Sequence, residues 1–393
     1  MQPLGLCKIL IMKKNIVCKA AAFFALLSVA ASSFAQVSGK IDNTDFKIKF
    51  NGRVNLDLGS FLGAEDGKPN RNGISANDCR LGVIADFDSV WQAKLEVSHS
   101  AGKISFKDVY VKRSFTSTGS EVQFGNFFFP FGYKRAGLGY KFVDTSVADA
   151  TFSPWRKLGI AYQSFSNKFN WGVGFFSDGD VDNGKKVNQG YSLNAYALAR
   201  PVFSDGNVLH FTASGIITHP SASVTFSSPM PLMFTSFPLV KTNALDAYNY
   251  GRLEIAALGI VRRFYAEARF LKSWVNLPNE RVEKSDYGDK VTKQDNYDGA
   301  YGFYVQASWR ILGEMQNYNK KTGLAGNPTG RALEVLARFD RTDLDQFGAA
   351  NNLTLGVNYF FNKYLRVRVN YVHAAIKDGA DIDALCSRVQ FSF

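Results

Sequence analysis

From residue 46 onward apolar and polar residues alternate with a period of two, and this pattern constrains the fold more than any other feature of the chain. In FKIKFNGRVNLDL, Phe46, Ile48, Phe50, Val54, Leu56 and Leu58 fall on one face, and Lys47, Lys49, Asn51, Arg53, Asn55 and Asp57 on the other. Such a segment is a strand with one apolar and one charged face. The same grammar recurs in RLGVIADF, WQAKLEVS, RRFYAEARFL, ALEVLARFD, NLTLGVNYF and YLRVRVNYVH. It closes the chain in CSRVQFSF, where Leu385, Val389, Phe391 and Phe393 oppose Cys386, Arg388, Gln390 and Ser392.

The segments predict sixteen strands, at 46–58, 79–88, 91–99, 104–114, 120–128, 157–165, 169–176, 190–199, 208–218, 250–259, 262–271, 300–310, 331–340, 352–360, 364–373 and 384–393. Each approaches the ~9 to 11 residues that cross a bilayer at a tilt. Long connections at 59–78, 129–156, 219–249 and 272–299 join odd strands to even ones, and tight turns at 88–90, 166–168, 259–261 and 361–363 join even to odd. One connection, 311–330, is long on the short-turn side. Long loops on one rim, short turns on the other and an even strand number describe a transmembrane barrel with a polar interior. A soluble β-sandwich also alternates, but it has no need of one-sided loop lengths or an aromatic terminal strand.

The first 35 residues read as a leader. Met12-Lys13-Lys14-Asn15 is a cationic start, Ala20 to Ala31 is an uncharged apolar run, and Ser33-Phe34-Ala35 is a cleavage site before Gln36. Residues 1–11 look like an upstream extension, with Met12 as initiator. Removing Lys8, Lys13, Lys14 and Lys19 lowers 46 basic residues to 42 against 34 acidic ones, so the exported chain stays at +8. Export makes nucleic acid a poor partner for that charge and leaves anionic lipid or an anionic solute. After the leader no apolar run nears the ~20 residues of a spanning helix. Cys79 and Cys386 have opposite strand parities, which argues against a disulfide.

The residues CRLGVIADF (79–87), FKDVYVKRSF (106–115), GNFFFPFG (125–132), FVDTSVADATFSPWRKLGIAY (142–162), FYVQASWRILGE (303–314), GRALEVLARFDRTDL (330–344), NNLTLGVNYFFNKYLRVRVNYVH (351–373) and SRVQFSF resemble, in order and spacing, the phosphate-selective porin O/P family of Gram-negative outer membranes. The resemblance implies an all-β fold, a 16-stranded antiparallel transmembrane β-barrel with long external loops and an inward-folded third loop, usually as a homotrimer. It places the base of that constriction loop at Phe127, Pro130, Phe131 and Gly132, and the loop itself at 129–156. Pro130 cannot donate to a ladder and Gly132 relaxes the backbone, so a strand end there is physically reasonable. The phenylalanines then either seat the loop base against the inner wall or form part of an aromatic girdle. The chain departs from the family where an Arg-Arg-x-Arg cluster often opens the second strand: Asp78-Cys79-Arg80 stands here.

Parity assigns Lys47, Lys49, Arg53, Arg80, Lys94, Arg263, Arg269, Arg310, Arg338, Arg366, Arg368 and Arg388 to the lumen, with Asp57, Asp86, Glu96, Glu254, Glu267, Glu334 and Asp340. A lumen with this excess concentrates anions, and guanidinium forks match phosphate or carboxylate oxygens. Arg53, Arg80, Lys94, Arg269, Arg338 and Arg368, with Lys134 and Arg135 of the loop, are the candidate anion contacts. The same charges can instead simply pair with the acids and hydrate the wall. The expected function is passive diffusion of small anions, phosphate or similar, through an outer membrane. A non-specific porin and an adhesin or scaffold using 219–249 and 272–299 as a binding lip or trimer latch are the alternatives.

Catalysis finds little support. His99, His210, His219 and His373 are scattered, outside any H-E-x-x-H or G-x-S-x-G context. Asp178 to Gly184 opens like a calcium loop but carries Gln189 at its twelfth position, so a turn-rich external loop is expected rather than a metal site. No cofactor is implied.

Overall fold

In a computed structural model, residues 36–41, 44–62, 72–100, 102–132, 141–182, 189–230, 238–278, 280–283, 290–293 and 295–393 are described, without the side chains of 41, 77, 280–283 and 290–293. The leader, 1–35, lies outside the described residues. Sixteen strands wind in sequence order. The first eight are β1 (Thr44–Leu62), β2 (Asn72–Phe87), β3 (Trp91–Ser100), β4 (Lys103–Phe115), β5 (Ser120–Phe128), β6 (Arg156–Phe165), β7 (Phe169–Ser177) and β8 (Tyr191–Ser204). The second eight are β9 (Asn207–His219), β10 (Asn249–Val261), β11 (Phe264–Asn276), β12 (Tyr301–Leu312), β13 (Ala332–Asp343), β14 (Ala349–Phe360), β15 (Leu365–Ile376) and β16 (Ile382–Ser392).

Each strand pairs antiparallel with its neighbours, and β16 returns to β1 in the register Arg53↔Ser392 to Leu62↔Asp383. Closure removes the unpaired edges that an open sheet would present to lipid. The terminal Phe393 completes the seam by exchanging backbone hydrogen bonds of 3.0 Å with Gly52. A short strand, Val37–Ile41, adds to the start of β1.

Alternation sorts the side chains as a barrel requires. Outward residues such as Ile74, Phe124, Ile217 and Val305 are exposed, while the intervening polar ones are buried inside. Trp91, Trp171, Phe264, Trp309 and Phe391 lie outside near the short-turn rim, and Trp155, Tyr191 and Tyr248 near the long-loop rim, as in the aromatic girdles of outer-membrane barrels. The turns are tight where the sequence predicts it; Asp88 and Ser89 adopt φ of +48° and +57° to reverse β2 into β3.

Among the described residues, three segments account for much of what lies in the lumen. The loop between β5 and β6 carries a six-residue helix, α1 (Val147–Phe152), across the interior. The loop between β9 and β10 folds onto it: Phe226, Met230, Leu239 and Val240 are buried in the same apolar cluster as Val147 and Phe152. Of 219–249, the segment that the alternative reading takes as a binding lip or trimer latch, these four apolar side chains are buried inside the barrel. The third segment is the long connection on the short-turn side. It forms a small hairpin, Tyr318–Asn319 against Leu324–Ala325, that lies under the lumen. Lys320 O accepts from Asn170 on β7 (2.8 Å), Tyr318 Oη accepts from Arg200 on β8 (2.9 Å), Lys321 pairs with Glu121 on β5, and Asn327 Oδ1 accepts from Arg366 on β15 (2.7 Å). Its length is explained by this span across the mouth.

Candidate pore and constriction

The stretch GNFFFPFG turns β5 inward. Phe127, Phe129 and Phe131 are buried on the inner wall, with Phe129 stacked on Phe176 at 4.2 Å between centroids and Phe127 edge-on to the same ring at 5.3 Å. Phe124, just before this stretch and three residues ahead of Phe127, faces outward and is 65 % exposed. The cluster therefore divides: Phe127, Phe129 and Phe131 seat the loop, while the half-buried Phe128 lies beside the outward Trp155 at the long-loop rim, with 6.3 Å between ring centroids. Pro130 ends the ladder, and its carbonyl accepts from Asn194 Nδ2 at 2.6 Å. Gly132 sits at φ +64°, where a Cβ would come within 2.5 Å of the Glu254 carboxylate. Only glycine meets both conditions.

Lys134 and Arg135 lie outside the described residues. Beyond them the chain returns as a stem stapled to the far wall. Lys141 Nζ meets Glu334 at 2.7 Å; Phe142 O accepts from Arg368 at 2.8 Å; Val143 donates to Asn370 Oδ1 at 2.6 Å and accepts from Arg388 at 2.7 Å; Asp144 O accepts from Arg338 at 3.1 Å. Burial pushes the Asp144 carboxyl above its usual range, against the pull of Arg388 and Arg338. Helix α1 begins at Ser146, whose Oγ accepts from Asp149 N, and docks through Val147 N on Asp340 Oδ1 (2.8 Å). Arg269 fixes its side, reaching Asp149 at 2.8 Å and Glu254 at 3.0 Å. The loop thus crosses from β5 to β11–β16, dividing the lumen.

The candidate cations fall into separate groups. Arg53, Arg80 and Lys94 come together, but in a ladder of alternating charge: Arg53–Asp78–Arg80–Glu96–Lys94–Asp108–Arg156, with contacts of 2.9 Å at Arg80–Glu96, 2.9 Å at Lys94–Glu96, 2.6 Å at Lys94–Asp108 and 2.6 Å at Arg156–Asp108. Arg269 is held by α1 and β10, away from that ladder. Arg338 and Arg368 face the loop stem. Of the other inward candidates, Lys49 pairs with Asp86 (2.7 Å) and Arg263 lies exposed at the rim, donating to Ile311 O.

Parity missed Asp78, because β2 carries a bulge at 78–79, opposite the step from Arg53 to Asn55 on β1, which holds Asp78 at φ +60° and turns its side chain inward. Asp108 was legible, since it alternates with Val109 and Val111 as Lys112 does. Arg200 and Tyr318, which bind the inner hairpin, had no signal beyond the unusual length of the turn. Histidines and acids of the other considered sites are engaged structurally: His210 Nδ1 meets Tyr318 Oη (2.8 Å), His373 meets Asp383 (2.9 Å), and Asp178 accepts from Ser221 (3.1 Å). Among the described residues no group of three ligands is placed for a metal, and Cys79 and Cys386 are free thiols.

A family profile described as phosphate-selective porin O and P matches residues 48–393. No curated protein matches the sequence. Among solved structures the chain is similar to a loop-deletion mutant of OmpT, an outer membrane protein of Vibrio cholerae, at 13 % identity over 88 % of this chain and 99 % of that one, with a TM-score of 0.59. It is also similar to an anion-selective porin from Comamonas acidovorans (14 %, 88 % and 100 %, 0.52) and to the outer membrane channel DcaP of Acinetobacter baumannii (12 %, 88 % and 97 %, 0.53). These likenesses support the barrel. Because the family profile spans nearly the whole of that barrel, the chain belongs to the phosphate-selective porin O and P family and is a porin of the Gram-negative outer membrane.

Proposed function

We propose that the mature chain, beginning at Gln36, passes small anions, phosphate or similar oxyanions, by passive diffusion as a homotrimer. One observation carries this reading. Arg366 and Arg368 on β15, Arg388 on β16 and Arg53 on β1 gather on one wall beside the loop stem, where Arg368 and Arg388 stand opposite each other in register. The carboxylates nearby are Asp57, gripped by Arg388, Asp78, gripped by Arg53, and Asp144, whose charge burial opposes. The patch stays cationic in a low-dielectric wall, which focuses its field on the lumen. Lys134 and Arg135 add charge on the loop and are proposed to face the permeating ion. The trimer is supported by a solved trimer form of the Vibrio cholerae OmpT, and basic residues at the rims suit lipopolysaccharide phosphates as the lipid partner.

The charge-paired ladder on β1–β4 favours a second reading, a general porin with weak preference. Planar-bilayer recordings of the purified protein under a KCl gradient separate the two. A zero-current potential of anion-preferring sign supports the proposal. A potential near zero supports the general porin, and a cation-preferring one overturns the anion reading. Absence of conductance would return the adhesin reading.

A further inference from the structure

Two of the segments in the lumen enter from opposite rims. The constriction loop comes from the long-loop rim, and the hairpin of 311–330 from the short-turn rim. Among the described residues, apolar packing does not join them. Val147 and Phe152 of α1 belong to one buried cluster; Ala325 of the hairpin packs in a second, with Leu258, Ile260 and Tyr265, and Leu324 in a third, with Leu198 and Ala256. A mechanical link between loop and hairpin is therefore polar.

That link is built around one carboxylate. Glu334 of β13 is 1 % exposed. Its Oε1 accepts from Lys141 Nζ of the loop stem at 2.7 Å, from Gln316 Nε2 at the base of the hairpin at 2.7 Å and from Ser308 Oγ of β12 at 2.8 Å. Its Oε2 accepts from Asn358 Nδ2 of β14 at 3.4 Å, and the same nitrogen donates to Lys141 O at 2.7 Å. Gln316 closes the ring, since its Oε1 accepts from Lys141 Nζ at 3.2 Å and from Arg310 Nη2 at 3.0 Å. A small cavity lined by Lys141, Glu334 and Asn358, and by Ala325, Gly326 and Asn327 of the hairpin, lies where the two segments meet. Withdrawing the stem takes Lys141 from a buried carboxylate and from Gln316; withdrawing the hairpin takes Gln316 from both. The departure of either segment weakens the hold on the other.

We propose that Glu334 is a positioning residue that couples the two segments, so that the constriction loop and the inner hairpin leave their docked positions together. The proposal rests on the porin reading alone and holds whichever ion the pore prefers. The test reads one segment while the other is loosened at an anchor on a different strand. Arg200→Met on β8 loosens the hairpin, which Arg200 holds through Tyr318 Oη and Lys320 O, and Arg269→Met on β11 loosens α1. The thiol of Val147→Cys on α1, or of Ala325→Cys on the hairpin, reports exposure by its labelling rate with a charged methanethiosulfonate. The full chain in liposomes is used, with the reporter-free chain as the blank for Cys79 and Cys386. All variants are first shown to be folded by their heat-modifiable mobility on gels.

Arg200→Met is expected to speed labelling of Val147→Cys about fivefold or more, and Arg269→Met to speed labelling of Ala325→Cys by a similar factor, because coupling is reciprocal. Gln316→Met, which leaves the Lys141–Glu334 pair in place, is expected to abolish both cross-effects. Glu334→Met should do the same, and Glu334→Gln, which keeps an acceptor, should retain part of them. A purely structural Glu334 would raise both labelling rates on substitution and leave the cross-effects intact, which overturns the proposal. So do thiols that respond only to the anchor of their own segment, and cross-effects that survive Gln316→Met undiminished. These outcomes are independent of the KCl potential that tests the anion reading.

Discussion

Two walls of the same lumen use arginine differently. On β1–β4, Arg53 and Arg80 flank Asp78, and Glu96 and Asp108 continue the alternation to Lys94 and Arg156. Each cation of that ladder has a carboxylate within salt-bridge distance. On β14–β16, Arg366 and Arg388 are tied to Gln390 and Asp57, Arg368 keeps an unpartnered edge, and the nitrogens that remain hold the loop stem and the inner hairpin. The first wall is a neutralised lattice and the second is a cationic one. Counting inward cations therefore overstates the field of the pore, and the location of their acids decides where that field survives.

The largest effect should come from the residue that anchors the loop to the wall. Arg269→Met leaves Asp149 and Glu254 buried side by side without their shared cation, at a cost of about 3 to 5 kcal/mol. Helix α1 should undock, seen as a lower transition temperature and a larger single-channel conductance. Unchanged conductance would mean that the loop is held by its backbone contacts alone.

A smaller effect is expected from unbalancing the neutral wall. Asparagine tolerates the φ of +60° at position 78, so Asp78→Asn removes one charge with little strain. Arg53 and Arg80 are then undercompensated, and the anion-to-cation permeability ratio should rise by about twofold. A ratio that does not move would place the ladder outside the conducting path. Smaller still is the expected change for Lys134→Glu with Arg135→Glu, which should lower the same ratio under low salt and lose the effect as screening increases. Unchanged selectivity at low salt would remove the loop tip from the mechanism.

How much of this was legible depends on which environment wrote the pattern. Lipid outside and water or polar atoms inside impose period two on every strand, so all sixteen strands could be read, with Arg338, Arg368 and Arg388 correctly inward. Asp78 could not, because a one-residue bulge inverts parity without leaving a sequence mark. Nor could the direction of the β9–β10 loop: Phe226, Met230 and Leu239 state that something apolar must be covered, but not whether it lies inside or outside the barrel. The turn at 311–330 stood out by length alone. Its role followed only from Arg200, Asn170 and Arg366, which come from distant strands to meet it.

The central claim is that selectivity resides in the β14–β16 wall. The most direct measurement is the zero-current potential under a KCl gradient for wild type, for the Arg366→Gln/Arg368→Gln double variant, and for the charge-neutral Arg80→Gln/Asp78→Asn double variant. The account predicts an anion-preferring wild type, a potential that collapses toward zero in the first variant, and one close to wild type in the second. Collapse in the charge-neutral variant with persistence in the Arg366→Gln/Arg368→Gln variant would contradict it.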